Sequence, residues 1–275
     1  MNAKEGTSPG KSTDLLRMVP EIHRARGWRL YTRNGGRLVD LWQNGGRALL
    51  GHNPPGLLRT VKNSAQRGLF APLPHFAEGR FLKALNTLFA LSAGGPLAFR
   101  VYAGVWPLRE ALSSAGIPGG ACPGRAQTGC PLWRPFLEPP PLPLFRPVLP
   151  LSFPGAPEVL AFDPAYGDRF PPSQRLSPIV LGAAARAVYD LIAAKNRGNP
   201  VYPKIEGALK KNPLWKRRGI YLFPLGENYN ALFSAFLEGG FLLPPGAEEN
   251  QDPAILPGEL SPGEEAKLAK LLRGS

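Results

Sequence analysis

The sequence predicts an α/β fold, and three observations carry the prediction. Near the N-terminus an Asn-Gly pair sits between two short apolar-aromatic runs, a hairpin signal. Over residues 177–275, apolar residues at helical spacing alternate with short strand-like runs. Between these zones lies a proline-crowded stretch that is too apolar to be a linker. Hydrophobic residues make up 43% of the 275, ordinary for a folded chain. Gly 32 and Pro 33 account for 65 residues together, about twice the usual share, so the interior should be rich in loops.

The first zone, residues 1–96, alternates hairpin and helix. Trp28-Arg29-Leu30-Tyr31 and Leu38-Val39-Asp40-Leu41-Trp42 flank Asn34-Gly35-Gly36, whose residues accept positive φ. After Gly45-Gly46 and Gly51-His52, Asn53 is expected to cap a helix with Pro54 at its first position. Leu57, Leu58, Val61 and Ala65 would share one face of it, and Gly68 would end it. A second helix is expected between His75 and Leu91, with Phe81, Leu82, Leu85, Leu88 and Phe89 facing inward.

The middle zone opens with a strand at Leu97–Tyr102, a turn at Gly104 and a short helix from Pro107 to Ser114. Residues 116–178 hold 16 prolines in 63 positions. Proline breaks helix interiors and central strands, so the stretch should be extended, edge-like or loop. It still carries Trp133, Phe136, Leu137, Phe145, Val148, Leu149 and Leu151, which predicts an ordered wrap packed on the folded body. Pro139-Pro140-Pro141 with Pro143 also has the look of a polyproline ligand, but packing is the preferred use.

The last zone begins with Ser177 as a cap and Pro178 at the first helical position. Ala183, Ala184, Ala185, Ala187, Val188, Leu191 and Ile192 continue that helix to Gly198; its small residues permit close packing. Gly219–Phe223 reads as a strand, Tyr229–Leu237 as a helix and Phe241–Leu243 as a strand. Ser261-Pro262-Gly263-Glu264 is a capping box opening the last helix.

Charge and cysteine content exclude several function classes. Lys and Arg exceed Asp and Glu by 13, with arginine outnumbering lysine 22 to 11. The densest basic stretch, Lys195–Arg218, holds eight Lys/Arg against Glu206 alone. No nucleic-acid reader motif accompanies it, so a solvated helix-and-loop surface is preferred. Cys122 and Cys130 cannot build a disulfide framework or a paired zinc motif, and a redox pair between them is unmotivated. The polar segment Met1–Lys11 lacks the apolar core of a signal peptide, and no run of 18 apolar residues occurs. A cytoplasmic location away from membranes is expected. His23 and His75 read as surface or core histidines; His52 reads as orienting the loop before its helix, since no nucleophile stands at a motif distance.

The run Gly27–Leu41, followed by Gly45-Gly46 and Gly51-His52-Asn53-Pro54-Pro55, resembles the N-terminal segment of class III aminotransferases, fold-type-I enzymes dependent on pyridoxal phosphate. Gly219–Leu222, the helix around Phe233, Gly240–Pro245 and Ile255-Leu256-Pro257 before the capped helix are similar to that family's C-terminal subdomain. The resemblance covers roughly the first 95 and last 100 residues. It implies that both chain ends fold into one small domain. It also implies a homodimer whose interface includes the N-terminal segment, where Trp28, Tyr31 and Trp42 would be exposed. Gly45, Gly46 and His52 would border a substrate pocket, and Gly104, Val105 and Trp106 would be the remnant of a turn that grips the cofactor phosphate.

Departures from the pattern are as informative. Fewer than a hundred residues separate the matching ends, too few for a seven-stranded cofactor domain. Val105 and Trp106 stand where hydroxyl and acidic positions belong, and Pro107 removes a donor. The family's Asp-Glu pair has no counterpart: Asp163 and Asp168 sit in turns. Asp252 and Pro253 stand where a carboxylate-clamping arginine would precede Ile255. No lysine lies between Lys83 and Lys195, so the Schiff-base amine is missing ahead of the Ser177 helix.

Together these features predict an aminotransferase-like small domain with a truncated remnant of the large domain. Residues 1–14 would be a flexible N-terminus, 15–96 and 201–275 the two parts of the small domain, and 97–200 a shortened, proline-rich remnant. The expected function is that of a reduced and degenerate family member, a pseudoenzyme that acts as a binding or partner protein. No catalytic residue, metal ligand or bound cofactor is expected, and pyridoxal phosphate is only the family's cofactor. One alternative is a minimal active pyridoxal-phosphate aminotransferase. Another is a basic scaffold for nucleic acid or an acidic protein.

Overall fold

The computed structural model describes residues 15–90, 95–117, 130–140, 143–226, 228–246 and 252–274. Strands β1 (Ile22–Arg26), β2 (Arg29–Thr32) and β3 (Arg37–Asp40) lead into helices α1 (Pro55–Gln66) and α2 (Ala77–Phe89). Strand β4 (Ala98–Tyr102) and helix α3 (Val105–Ser114) follow, then β5 (Leu132–Trp133), β6 (Leu144–Pro147) and β7 (Glu158–Phe162). The long α4 (Pro178–Arg197) precedes α5 (Pro203–Leu209), β8 (Trp215–Arg218), β9 (Tyr221–Pro224) and α6 (Tyr229–Glu238). The chain closes with β10 (Phe241–Leu242), β11 (Ala254–Ile255) and α7 (Pro262–Gly274).

The Asn34-Gly35 signal produces the expected hairpin, with Leu30 opposite Leu38 across β2 and β3. The other edge of β3 is taken by β10, which runs parallel to it with Phe241 opposite Val39. A second sheet, in order β11-β9-β8, is tied to the first where the Ile255 N–H donates to the Leu41 carbonyl at 2.7 Å. The two ends of the chain therefore share a backbone hydrogen-bond network. Arg29 on β2 reinforces it by forking onto Glu264 of α7 at 3.0 and 2.7 Å.

The proline-rich middle builds more structure than extended wrapping. Strands β4, β7, β6 and β5 form a sheet in that order. Strand β7 is proline-free and buried at all five positions, so it takes the central place, while Pro147 falls at the end of β6. Phe89 of α2 packs edge-on to Trp133 and Phe145, with centroids 4.8 and 5.4 Å apart. A smaller core lies under α3, where Leu108, Ala111 and Leu112 meet Tyr102, Leu160 and Phe162. Helix α4 packs against both α1 and α2; a Cβ on Gly182 would stand 3.6 Å from Thr60, the close approach its small residues allow.

Several expectations are corrected. Asn53 does not cap α1. Pro54 occupies that position, because a residue followed by proline is driven to extended geometry, and Pro55 becomes the first helical residue. Helix α3 starts at Val105, two residues early, since Pro107 in a first turn loses only an N–H that has no helical partner. The basic stretch before Arg218 contains an edge strand, β8, in which Trp215 is buried and Lys216 and Arg218 are exposed; basic side chains on a free edge oppose further pairing. Trp28, Tyr31 and Trp42 are not an exposed set. Trp28 Nε1 donates to the Leu49 carbonyl at 3.0 Å, Arg24 stacks 5.5 Å from the Tyr31 ring, and Trp42 packs against the main core. Exposed apolar side chains include Phe70, Leu73 and Phe76 between α1 and α2, Trp106 and Val201. Among the described residues no helix is long and apolar enough to cross a membrane.

Candidate functional site

The segment after β3 is built around one buried carboxylate. Asp40, 1% exposed, accepts from the Trp42 and Gln43 N–H groups through Oδ1 at 2.9 and 2.8 Å. Its Oδ2 holds His52 Nε2 at 2.7 Å. The chain then turns through four consecutive residues of positive φ, Gln43, Asn44, Gly45 and Gly46. Glycine takes this geometry freely, but Gln43 and Asn44 do not. The Gln43 side chain offsets the strain by donating to the Ile255 carbonyl at 3.0 Å.

Gly45 and Gly46 face the end of the β4-β7-β6-β5 sheet where β4, β5 and β6 finish and the antiparallel β7 begins. A Cβ on Gly45 would lie 3.1 Å from Asp252, and one on Gly46 would lie 3.3 Å from Val148. Arg134, just after β5, donates to the Gly45 carbonyl at 3.2 Å and to Asp252 Oδ1 at 2.7 Å. On the neighbouring strands, Glu158 pairs with Arg47 and lies 3.6 Å from Arg146. Ion pairs thus occupy this end of the sheet. Tyr221 stands behind them; its hydroxyl donates to the Pro135 carbonyl at 2.9 Å, and burial pushes its pKa up.

The Gly104 turn lies at the same end, following Tyr102, which is opposite Glu158. Gly104 is extended and Trp106 is 73% exposed, with the Arg109 guanidinium 4.9 Å from its ring centre. His52 lies apart from Gly45 and Gly46, held to Asp40. Lys195 sits in the last turn of α4, 5.7 Å from the Trp133 ring. Cys130 is buried, and that burial pushes its thiol up to about 12; Cys122 lies outside the described residues. Among the described residues no three His, Cys, Asp or Glu side chains gather to hold a metal.

Beside this region, a cavity of about 580 Å³ opens between Trp28, the Leu49–Gly56 segment and the end of α4. Its apolar wall is Trp28, Leu49, Leu50, Phe136, Ile220 and Leu256, and Arg186, Asp190, Arg197 and Asn199 border it. Neither the Gly45-Gly46 pair nor His52 lines it. Arg134 and Glu158 stand alone in the proline-rich stretch with no motif around them, and the sequence marks Phe136 only as an apolar packing residue.

No family model matches the chain. An uncharacterised protein of Treponema pallidum (strain Nichols) is 27% identical over 290 residues, 89% of this chain and 91% of that one. A second, from Borreliella burgdorferi, is 38% identical over 87 residues, 32% of either chain. Among solved structures, the ornithine aminotransferase of Toxoplasma gondii superposes with a TM-score of 0.66 at 12% identity, covering 93% of this chain and 90% of that one. An omega-transaminase from Sphaerobacter thermophilus gives 0.63 at 12% identity, covering 97% of both. The fold is aminotransferase-like.

Proposed function

We propose that this aminotransferase-like chain is a binding protein that does not carry out pyridoxal-phosphate transamination. The observation that supports the reading is the chemistry at the end of the sheet where β4, β5 and β6 finish. Transamination needs a lysine amine that can form an imine and pass a proton. Arg134 and Arg146 stand at the ends of neighbouring strands instead, answered by Asp252 and Glu158. A guanidinium stays protonated and forms no imine.

The residues present do not fit the cofactor. The turn at Gly104–Trp106 carries no hydroxyl to reach a phosphate, and Pro107 removes an N–H from the first turn of α3. No lysine occurs between Lys83 and Lys195. Purified protein mixed with pyridoxal phosphate is expected to trap no pyridoxyl group at a unique lysine on borohydride reduction. One stoichiometric adduct at Lys83 or Lys195, with turnover lost in its alanine variant, would establish the minimal-enzyme alternative.

The reading includes a homodimer, supported by the exposure of Phe70, Leu73 and Phe76 within one short connection (65%, 64% and 69%). Large apolar side chains left exposed in this way are often covered by a partner. Light scattering at micromolar concentration is expected to give twice the chain mass, and Phe70→Asp with Phe76→Asp to give the monomer. A monomeric parent protein would remove the dimer.

A further inference from the structure

We infer that the cavity between Trp28 and the C-terminal end of α4 is a binding site for a small organic carboxylate with a flat apolar body. The inference rests on the binding reading above and names the site and ligand class it requires. At about 580 Å³ the space falls within the range of small-molecule sites, roughly 300–1,000 Å³.

Its walls are set in place before any ligand arrives. Trp28 is anchored through Nε1 to the Leu49 carbonyl, and its ring lies so close to Gly258 that a Cβ there would stand 2.6 Å from Cζ2. Across the opening the Arg186 guanidinium lies against Gly56 just as tightly, 2.6 Å from a Cβ built there. Both glycines line the cavity. A side chain at either position would displace a wall. Phe136, on the third side, has φ +64, a left-handed conformation that non-glycine residues rarely adopt. Its neighbours hold it there: the Pro135 carbonyl accepts from Tyr221, and the Leu137 carbonyl accepts from Trp133 Nε1. Phe136 also lines a second cavity of about 370 Å³, bordered by Lys195 and Glu138.

The charges select the ligand. Asp190 is already engaged by Arg186 through two contacts, at 3.0 and 2.8 Å, so neither charge of that pair is left over. Arg197 has no carboxylate within ion-pairing distance among the described residues, which leaves one guanidinium to answer one negative charge. The carbonyl end of α4 and the Asp190 carboxylate oppose additional negative charge. A single carboxylate therefore suits the site better than a doubly charged phosphate. Asn199 adds a neutral donor and acceptor at the same end, and the aromatic walls take the apolar body.

Isothermal titration of the full chain with 3-phenylpropionate tests this, with 3-phenylpropanamide as the uncharged control. A saturable isotherm with a Kd of about 1 mM or tighter is expected, and the amide should bind at least about tenfold more weakly. Arg197→Gln should erase the difference between acid and amide. Ala193→Trp, on the exposed face of α4 that borders the cavity, should abolish binding of both while leaving the melting temperature unchanged. No saturation by about 10 mM, or an acid-amide difference that survives Arg197→Gln, would overturn the site. Borohydride trapping on the same preparation separates this failure from that of the non-catalytic reading. A unique pyridoxyl-lysine with turnover overturns the latter alone, and absent carboxylate binding without such an adduct overturns the former alone.

Discussion

Glu264→Gln will destabilise the fold by about 3 kcal/mol at neutral pH, the range for breaking a buried ion pair by removing one partner. Glu264 is 7% exposed and serves two structures at once. Its Oε2 accepts from the Ser261 N–H at 2.8 Å, while its own N–H donates to Ser261 Oγ at 3.3 Å, which closes the capping box of α7. The same carboxylate receives Arg29 on both oxygens and Arg37 at 3.2 Å. Glutamine keeps part of the cap but leaves Arg29 without its countercharge. A fall in melting temperature of roughly 6–10 °C is expected; a change below about 2 °C would refute the assignment.

The pH dependence of that contribution has a definite sign. Burial alone would push the Glu264 carboxyl up, but Arg29 and Ser261 together outweigh it and hold the pKa at about 2, well below the ordinary carboxylate value of 4.5. A folded-state pKa below the unfolded one stabilises the protein above the unfolded value and loses that stabilisation as pH falls through the folded one. Stability of the parent chain should therefore drop between about pH 4.5 and 2, and Glu264→Gln should flatten that limb. Urea midpoints measured across this window check it.

Asp40→Ala will cost about 3 kcal/mol or more, because it strips partners from two backbone N–H groups and from His52 together. The carboxylate and the Gln43 N–H are shut off from water: Asp40 is 1% exposed and Gln43 is fully buried. The lost bonds also hold Gln43 and Asn44 in left-handed geometry that each would otherwise leave. Amide exchange should accelerate over the 41–52 segment more than over α2, which has its own packing on α4. Uniform protection across both would refute the role assigned to Asp40. Because Leu49 and Leu50 line the Trp28 cavity, the same variant should weaken ligand binding there without touching any lining residue.

Local signals carried much of the architecture. Asn34-Gly35 fixes a hairpin because Gly35 supplies the positive φ of its turn, and Ser177-Pro178 and Ser261–Glu264 fix helix starts because caps act within one turn. These devices work over three or four residues, and their chemistry survives any tertiary context. The lysine gap from 83 to 195 is likewise a property of the sequence alone. Spacing could not reveal that β7 is a central strand, since a run of five buried residues between prolines reads equally as a wrap. Partners 118 residues apart, such as Arg134 and Asp252, leave no trace at either position, and neither does the φ of Phe136.

By itself, then, the sequence determined the elements whose energetics are local: the hairpin, the capped helices, and a middle without lysine between Lys83 and Lys195. Only the tertiary structure decided which charges meet and which space stays open. Arg134 reaches Asp252, Glu158 reaches Arg47, and Arg197 reaches no acid among the described residues, because β-sheet register and helix packing bring together groups the chain keeps far apart. The Trp28 cavity has the same origin. It exists because a ring and a guanidinium lie close against Gly258 and Gly56, approaches set by the fold and by no pattern along the chain.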